Sequence, residues 1–160
     1  MKRFVLLLFV LIFHAKGFGQ NVSLESGNPR GWVSAMSLDV QTNEQLVKFE
    51  NGADYAARKI LPNYFQLTVK APQPAQWVVT ASLSEVYSAS NTPTNTLENL
   101  VRLRTPQGQI FTLTSTPQVI LQSNSNIPVH QFGLDLLVDP PFNRSSGIMP
   151  GMINFRLELL

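Results

Sequence analysis

The chain of 160 residues contains no cysteine. That absence excludes a disulfide framework, a thiolate nucleophile and cysteine-ligated zinc, and with them the lipid-modified N-terminus that begins on a cysteine. Histidine is nearly as scarce, with His14 and His130 the two present. No Gly-x-Ser-x-Gly elbow accompanies them, so a serine triad has no recognisable nucleophile. There is no His-x-x-x-His pair, no acidic calcium loop and no repeat at solenoid spacing, so neither a cofactor nor a metal is expected. No long segment has the 3.6-residue periodicity of an amphipathic helix.

What the chain does have begins at its N-terminus. Lys2 and Arg3 precede an unbroken apolar run from Phe4 to Phe13, and the small residues Ala15, Gly17 and Gly19 follow. This order of charge, apolar run and small residues is that of a cleavable secretory signal. The run falls well short of the roughly 20 residues that cross a bilayer core, so no transmembrane segment is expected in the mature chain. A buried core helix is the competing reading, and the position of the run directly after two cations speaks against it. Cleavage is expected after Gly19, giving a signal peptide at 1–19, a polar segment at 20–31 and a β-sandwich domain at 32–160.

Processing also changes the electrostatics. The full chain carries 12 Lys and Arg against 10 Asp and Glu, and Lys2, Arg3 and Lys16 leave with the signal. The net positive charge therefore belongs to the discarded segment, and no basic run remains to suggest a nucleic-acid partner. The product is expected outside the cytoplasm, in the periplasm, at the cell surface or in the medium. Without cysteine it must be held by its core alone, which a chain of this length permits.

The mature sequence reads as strand throughout. Phe65, Leu67 and Val69 alternate with Gln66, Thr68 and Lys70, and Trp77, Val79, Ala81 and Leu83 share the face of a second run. Phe132, Leu134, Leu136 and Val138 form a third, and Ile153, Phe155, Leu157 and Leu159 alternate with Asn154, Arg156 and Glu158 in a fourth. Further strands are expected at 32–40, 46–49, 100–104, 110–114 and 119–122, with short helical turns at 54–60 or 96–100. Turn residues separate the strands, as in Asn51-Gly52, Pro72-Gln73-Pro74 and Pro106-Gln107-Gly108. The predicted fold is an all-β antiparallel sandwich with Ig-like, Greek-key connections. Its core should contain Phe65, Leu67, Trp77, Val79, Leu134, Phe155 and Leu157. His130 leads into the third strand and is expected to face solvent.

Residues 139–151 read as a loop longer than the usual hairpin connection. Its apolar residues Phe142, Ile148 and Met149 either fold back over the end of the sandwich or form a protein-contact surface. Exposed aromatics offer a second kind of surface, since flat rings pack against sugars, and Trp32 and Tyr55 are the candidates for glycan contact. Paired carboxylates for glycoside hydrolysis would have to come from Asp39, Asp54, Glu85, Glu98 or Asp135. Because catalytic groups are so few, the chain is expected not to be an enzyme.

The strand pattern Phe65-x-Leu67-x-Val69, the following Trp77-Val78-Val79-x-Ala81 and the closing Pro150-Gly151-Met152-Ile153-Asn154-Phe155-Arg156-Leu157-Glu158-Leu159 resemble short exported bacterial Ig-like and pilin-like β-sandwiches over about residues 64–160. The resemblance implies a cell-envelope or fimbria-associated structural or adhesion role, exercised by contact with another envelope or surface protein. Gly147 stands where chaperone–usher pilins carry a glycine before the last strand, whereas Leu159 replaces their penultimate aromatic. A donor strand should alternate apolar residues, and residues 20–31 offer Val22 and Leu24 alone. The reading carried forward is a non-catalytic contact module, with a carbohydrate-binding module or a donor-strand pilin subunit as alternatives. Whether the sheet is complete without help from another chain separates them.

Overall fold

A computed structural model of the chain describes residues 9–18, 36–43, 45–71, 76–85, 97, 99–123, 129–141 and 147–160, and for 9–18, 85 and 147–150 it describes the backbone alone. The described strands are β1 (Phe9–Phe18), β2 (Ser37–Thr42), β3 (Val47–Phe49), β4 (Lys59–Lys70), β5 (Trp77–Glu85), β6 (Val101–Arg104), β7 (Ile110–Thr112), β8 (Gln118–Ser123), β9 (Val129–Val138) and β10 (Gly147–Leu159). One sheet has the order β3-β1-β10-β5-β8 and the other β2-β4-β9-β6-β7. Every described ladder is antiparallel except the one between β1 and β10, which is parallel.

Period-2 alternation explains why the inner faces meet. Phe65, Leu67 and Val69 on β4 and Ile153, Phe155 and Leu157 on β10 are buried, and the two sheets share one core. Phe65 and Phe155 cross between the sheets with ring centroids 5.2 Å apart and edge to face. Trp77 meets Phe132 in the same way at 6.0 Å. Each such side chain contributes about 1.5–3 kcal/mol by leaving water. The expected core residues Phe65, Leu67, Trp77, Val79, Leu134, Phe155 and Leu157 are all buried.

Boundaries differ from the sequence reading at several elements: β1 lies within the apolar run read as a signal, β2 runs on to Thr42, β7 stops at Thr112 and β9 begins at Val129. The helical turn shrinks to a 3-10 turn at Asp54–Ala56, where Asn51 Oδ1 accepts the N–H groups of Ala53 and Asp54 at 3.0 and 3.1 Å. The following chain is already extended from Lys59. At the other end β10 starts at Gly147, so the loop expected to run to Gly151 is shorter. Residues 20–31 lie outside the described residues.

A bulge interrupts β4. Leu61 faces Leu136 and Phe65 faces Leu134, so three residues of β4 stand against one of β9. Pro62 needs no ladder partner there. Asn63 takes a left-handed φ of 48°, and its N–H donates to Asp135 Oδ1 at 2.8 Å. Its amide occupies the space over Gly133, where a Cβ atom would overlap Asn63 Oδ1.

Candidate functional site

The place between β3 and β10 is the feature on which the completeness of the first sheet depends. β1 fills it, pairing Phe9 to Leu11 with Phe49 to Val47 on one side and all ten of its residues with Gly147 to Arg156 on the other. No other described ladder holds β3 in that sheet. Odd-numbered residues of β1 stand in register with the inward-facing positions of both neighbours: Phe9 with Phe49, Leu11 with Val47, Phe13 with Gly151, Ala15 with Ile153 and Gly17 with Phe155. Val47, Phe49, Gly151, Ile153 and Phe155 are buried. The even-numbered His14 and Lys16 stand opposite Met152 and Asn154, which are half-buried.

The residues singled out from the sequence are dispersed. Ile148 and Met149 are strand residues of β10, in register with Val10 and Leu11, rather than loop tips. Phe142 and Trp32 lie outside the described residues. Tyr55 sits in the 3-10 turn, half-buried, with its ring 5.6 Å from that of Phe49. The expectation that His130 faces solvent is overturned: it shares the inward parity of β9, lies parallel to Phe132 at 6.0 Å and edge-on to Trp77 at 5.1 Å. The apolar wall offered by Trp77 and Phe132 draws the imidazole in.

Asp54, Asp135 and Asp139 each have a cationic partner. On the outer side of β9, Asp135 accepts from Arg104 at 2.6 Å and Asp139 from Arg102 at 2.9 Å, with Arg58 also on Asp139. Desolvation is the largest influence on the Asp135 carboxyl and pushes its pKa up, but the Asn63 N–H and Arg104 together outweigh it and hold the pKa below the ordinary value. Lys59, at 2.8 Å, and the Glu50 N–H do the same for Asp54. A general acid for glycoside hydrolysis needs the opposite shift. A depressed pKa stabilises the fold above the unfolded-state value of about 3.9, and the contribution disappears as pH falls through the folded-state value. Asp135→Asn should therefore flatten the loss of stability that the parent shows below about pH 4, a change read from denaturant midpoints across an acid series.

Between the β7 and β8 edges runs a shallow open groove lined by Gln107, Gln109, Phe111, Val119, Leu121 and Phe132. Among the described residues its lining includes neither Tyr55 nor a charged side chain. Among the described residues no group of three His, Asp or Glu side chains is placed to hold a metal ion, and no helix is long and apolar enough to cross a membrane. No family model matches the chain, and comparison with curated proteins finds no significant match.

The place held by β1 was hidden in the sequence because a continuous apolar run satisfies any alternation. The signal available was the short stretch His14-Ala15-Lys16-Gly17, where polar and small residues do alternate.

Proposed function

We propose that the chain is the precursor of an exported, non-catalytic β-sandwich module that acts by protein–protein contact, and that the contact is strand addition at the place held by β1. One observation carries this reading. The expected signal, residues 1–19, contains the whole of the strand that joins β3 to β10. Cleavage after Gly19 takes that strand away, and the backbone groups of β10 and β3 that it bonded are left to find another partner. An extended segment of a second protein satisfies them and covers Ile153 and Phe155 again. The remaining strand order is then read as an Ig-like sandwich short of one strand, in the manner of the pilin-like subunits that the closing segment resembles. The contact surface accordingly moves from the loop tip to the edge of β10, where Ile148 and Met149 themselves belong.

The test compares the full chain with residues 20–160. The full chain should unfold cooperatively. Residues 20–160 alone should lose hydrogen-exchange protection in β3 and β10 and regain it with a synthetic Phe9–Phe18 peptide. Equal stability of the two chains, or an intact mass of exported protein that retains residues 1–19, would sink the proposal.

A further inference from the structure

We infer that the turn between β3 and β4 is a site of self-modification, at which Asn51 loses ammonia through attack by the Gly52 backbone nitrogen and becomes aspartate or isoaspartate. Neither residue belongs to β1, β3 or β10, so the site stands apart from strand addition.

Sequence restricts this chemistry to one place. Of the chain's asparagines, Asn51 alone is followed by glycine. A backbone nitrogen closes a succinimide ring on the preceding side-chain amide most readily where its own residue carries no side chain to crowd or restrain it. Asn51, Gly52 and Ala53 are exposed, so base and water reach them. The N–H groups of Glu50, Asn51, Ala53 and Asp54 all donate hydrogen bonds within the turn. Among the described residues no acceptor is paired with the Gly52 N–H that lies between them.

The turn also prepares the amide. Asn51 Oδ1 accepts the N–H groups of Ala53 and Asp54 at 3.0 and 3.1 Å. Both donors follow Gly52 in the chain, so the side chain is folded back along the Gly52 peptide and carries Cγ toward the nitrogen that attacks it. Two backbone N–H groups on one carbonyl oxygen act as an oxyanion hole, stabilising the negative charge that the oxygen gathers as Cγ becomes tetrahedral. Asp54 holds them in place. Its carboxylate accepts the Glu50 N–H at 2.7 Å and pairs with Lys59 at 2.8 Å, which ties the turn to the first residue of β4.

Hydroxide and water are the co-reactants. Hydroxide removes the Gly52 N–H proton, the nitrogen bonds to Asn51 Cγ, and the Cγ–Nδ2 bond breaks. Ammonia leaves with a proton from water, which restores the hydroxide. Water then opens the ring at Cγ to give aspartate, or at the Asn51 main-chain carbonyl carbon to give isoaspartate. In isoaspartate the main chain runs through Cβ and Cγ, so the acceptor of the Ala53 and Asp54 N–H groups is no longer a side-chain oxygen. Either product sets a new carboxylate beside Glu50 and Asp54, at the point where β3 is joined to β4.

The experiment incubates the full chain at mildly alkaline pH, folded and in guanidinium chloride, and reads the ratio of the two rates. Intact mass follows the replacement of nitrogen by oxygen, and electron-transfer fragmentation of the peptide containing the turn separates isoaspartate from aspartate. The folded parent should convert at least about threefold faster than the unfolded parent, with both products appearing. Ala53→Pro removes one donor at a position whose φ of −69° suits proline, and should bring the ratio to about one or below. Gly52→Ala adds a methyl that meets nothing within 4 Å, so the fold accepts it. It should nevertheless slow conversion at least about tenfold in both states, because the methyl crowds the attacking nitrogen. A folded parent slower than its unfolded form would overturn the proposal by showing that the turn guards the amide. Aspartate without isoaspartate, or a Gly52→Ala chain converting at the parent's rate, would overturn it by removing the succinimide.

Discussion

Phe155→Ala should lower the unfolding free energy by about 3–5 kcal/mol, toward the upper end of that range. Phe155 is fully buried and meets Phe65 edge to face at 5.2 Å, so truncation removes both the buried ring and the contact that ties the two sheets together. Its neighbours in the sheet cannot fill the gap, because Ala81 stands opposite it on β5 and Gly17 opposite it on β1. Two small residues beside a deleted ring leave a cavity that only backbone movement can close. The change should appear as a lower denaturant midpoint with an unchanged slope. Leu159→Ala, at a position 45% exposed on the same strand, should lie within a few tenths of a kcal/mol of the parent, roughly as surface substitutions do. A variant at Phe155 that unfolds with the parent would mean that the last strand presents its other face to the core.

The second large effect is expected at Gly133, on the opposite parity of β9 from the core residues Leu134 and Leu136. Gly133→Ala should cost about 1–3 kcal/mol, because the new Cβ overlaps Asn63 Oδ1 and forces that amide out of its place. The Asn63 backbone is held, being left-handed with its N–H bound by Asp135, so relief has to come from rotation of the Asn63 side chain, with the Gln66 amide also close to the new Cβ. The compensating substitution is Asn63→Gly, which removes the obstructing amide and adopts positive φ without strain. The double variant should recover most of the loss, and the non-additivity in a double-mutant cycle measures the contact directly. A double variant as unstable as Gly133→Ala would place the cause elsewhere.

How much of this was legible beforehand depended on whether the information was local. Strands β4, β5, β9 and β10 announced themselves through alternation of apolar residues on the core face, although β5 also buries Val78 and Thr80 and β9 also buries Leu137 on the other parity. The bulge did not, because Pro62-Asn63 looks like any turn dipeptide until Gly133 on another strand is set against it. The early start of β10 was masked by Pro150 and Gly151, which read as loop although β10 continues through them. His130 was misread because its inward position is decided by Trp77, more than fifty residues away. The place between β3 and β10 was the least legible of all. Its strand lies in a continuous apolar run that the sequence reading takes as a signal, and nothing local connects that run to β10.

The lengths of the sheet edges bear on solubility. Among the described strands the four outermost, β3, β8, β2 and β7, have three, six, six and three residues. Short edges of this kind are poor templates for uncontrolled pairing between molecules. β10 is thirteen residues long, and β1 keeps it an interior strand. Without β1 it becomes an edge about twice as long as any other in the fold, with Pro150 as its one built-in interruption to hydrogen bonding. A chain in that condition exposes to its own copies the longest unpaired backbone edge in the described fold, so truncation before residue 20 should promote self-association.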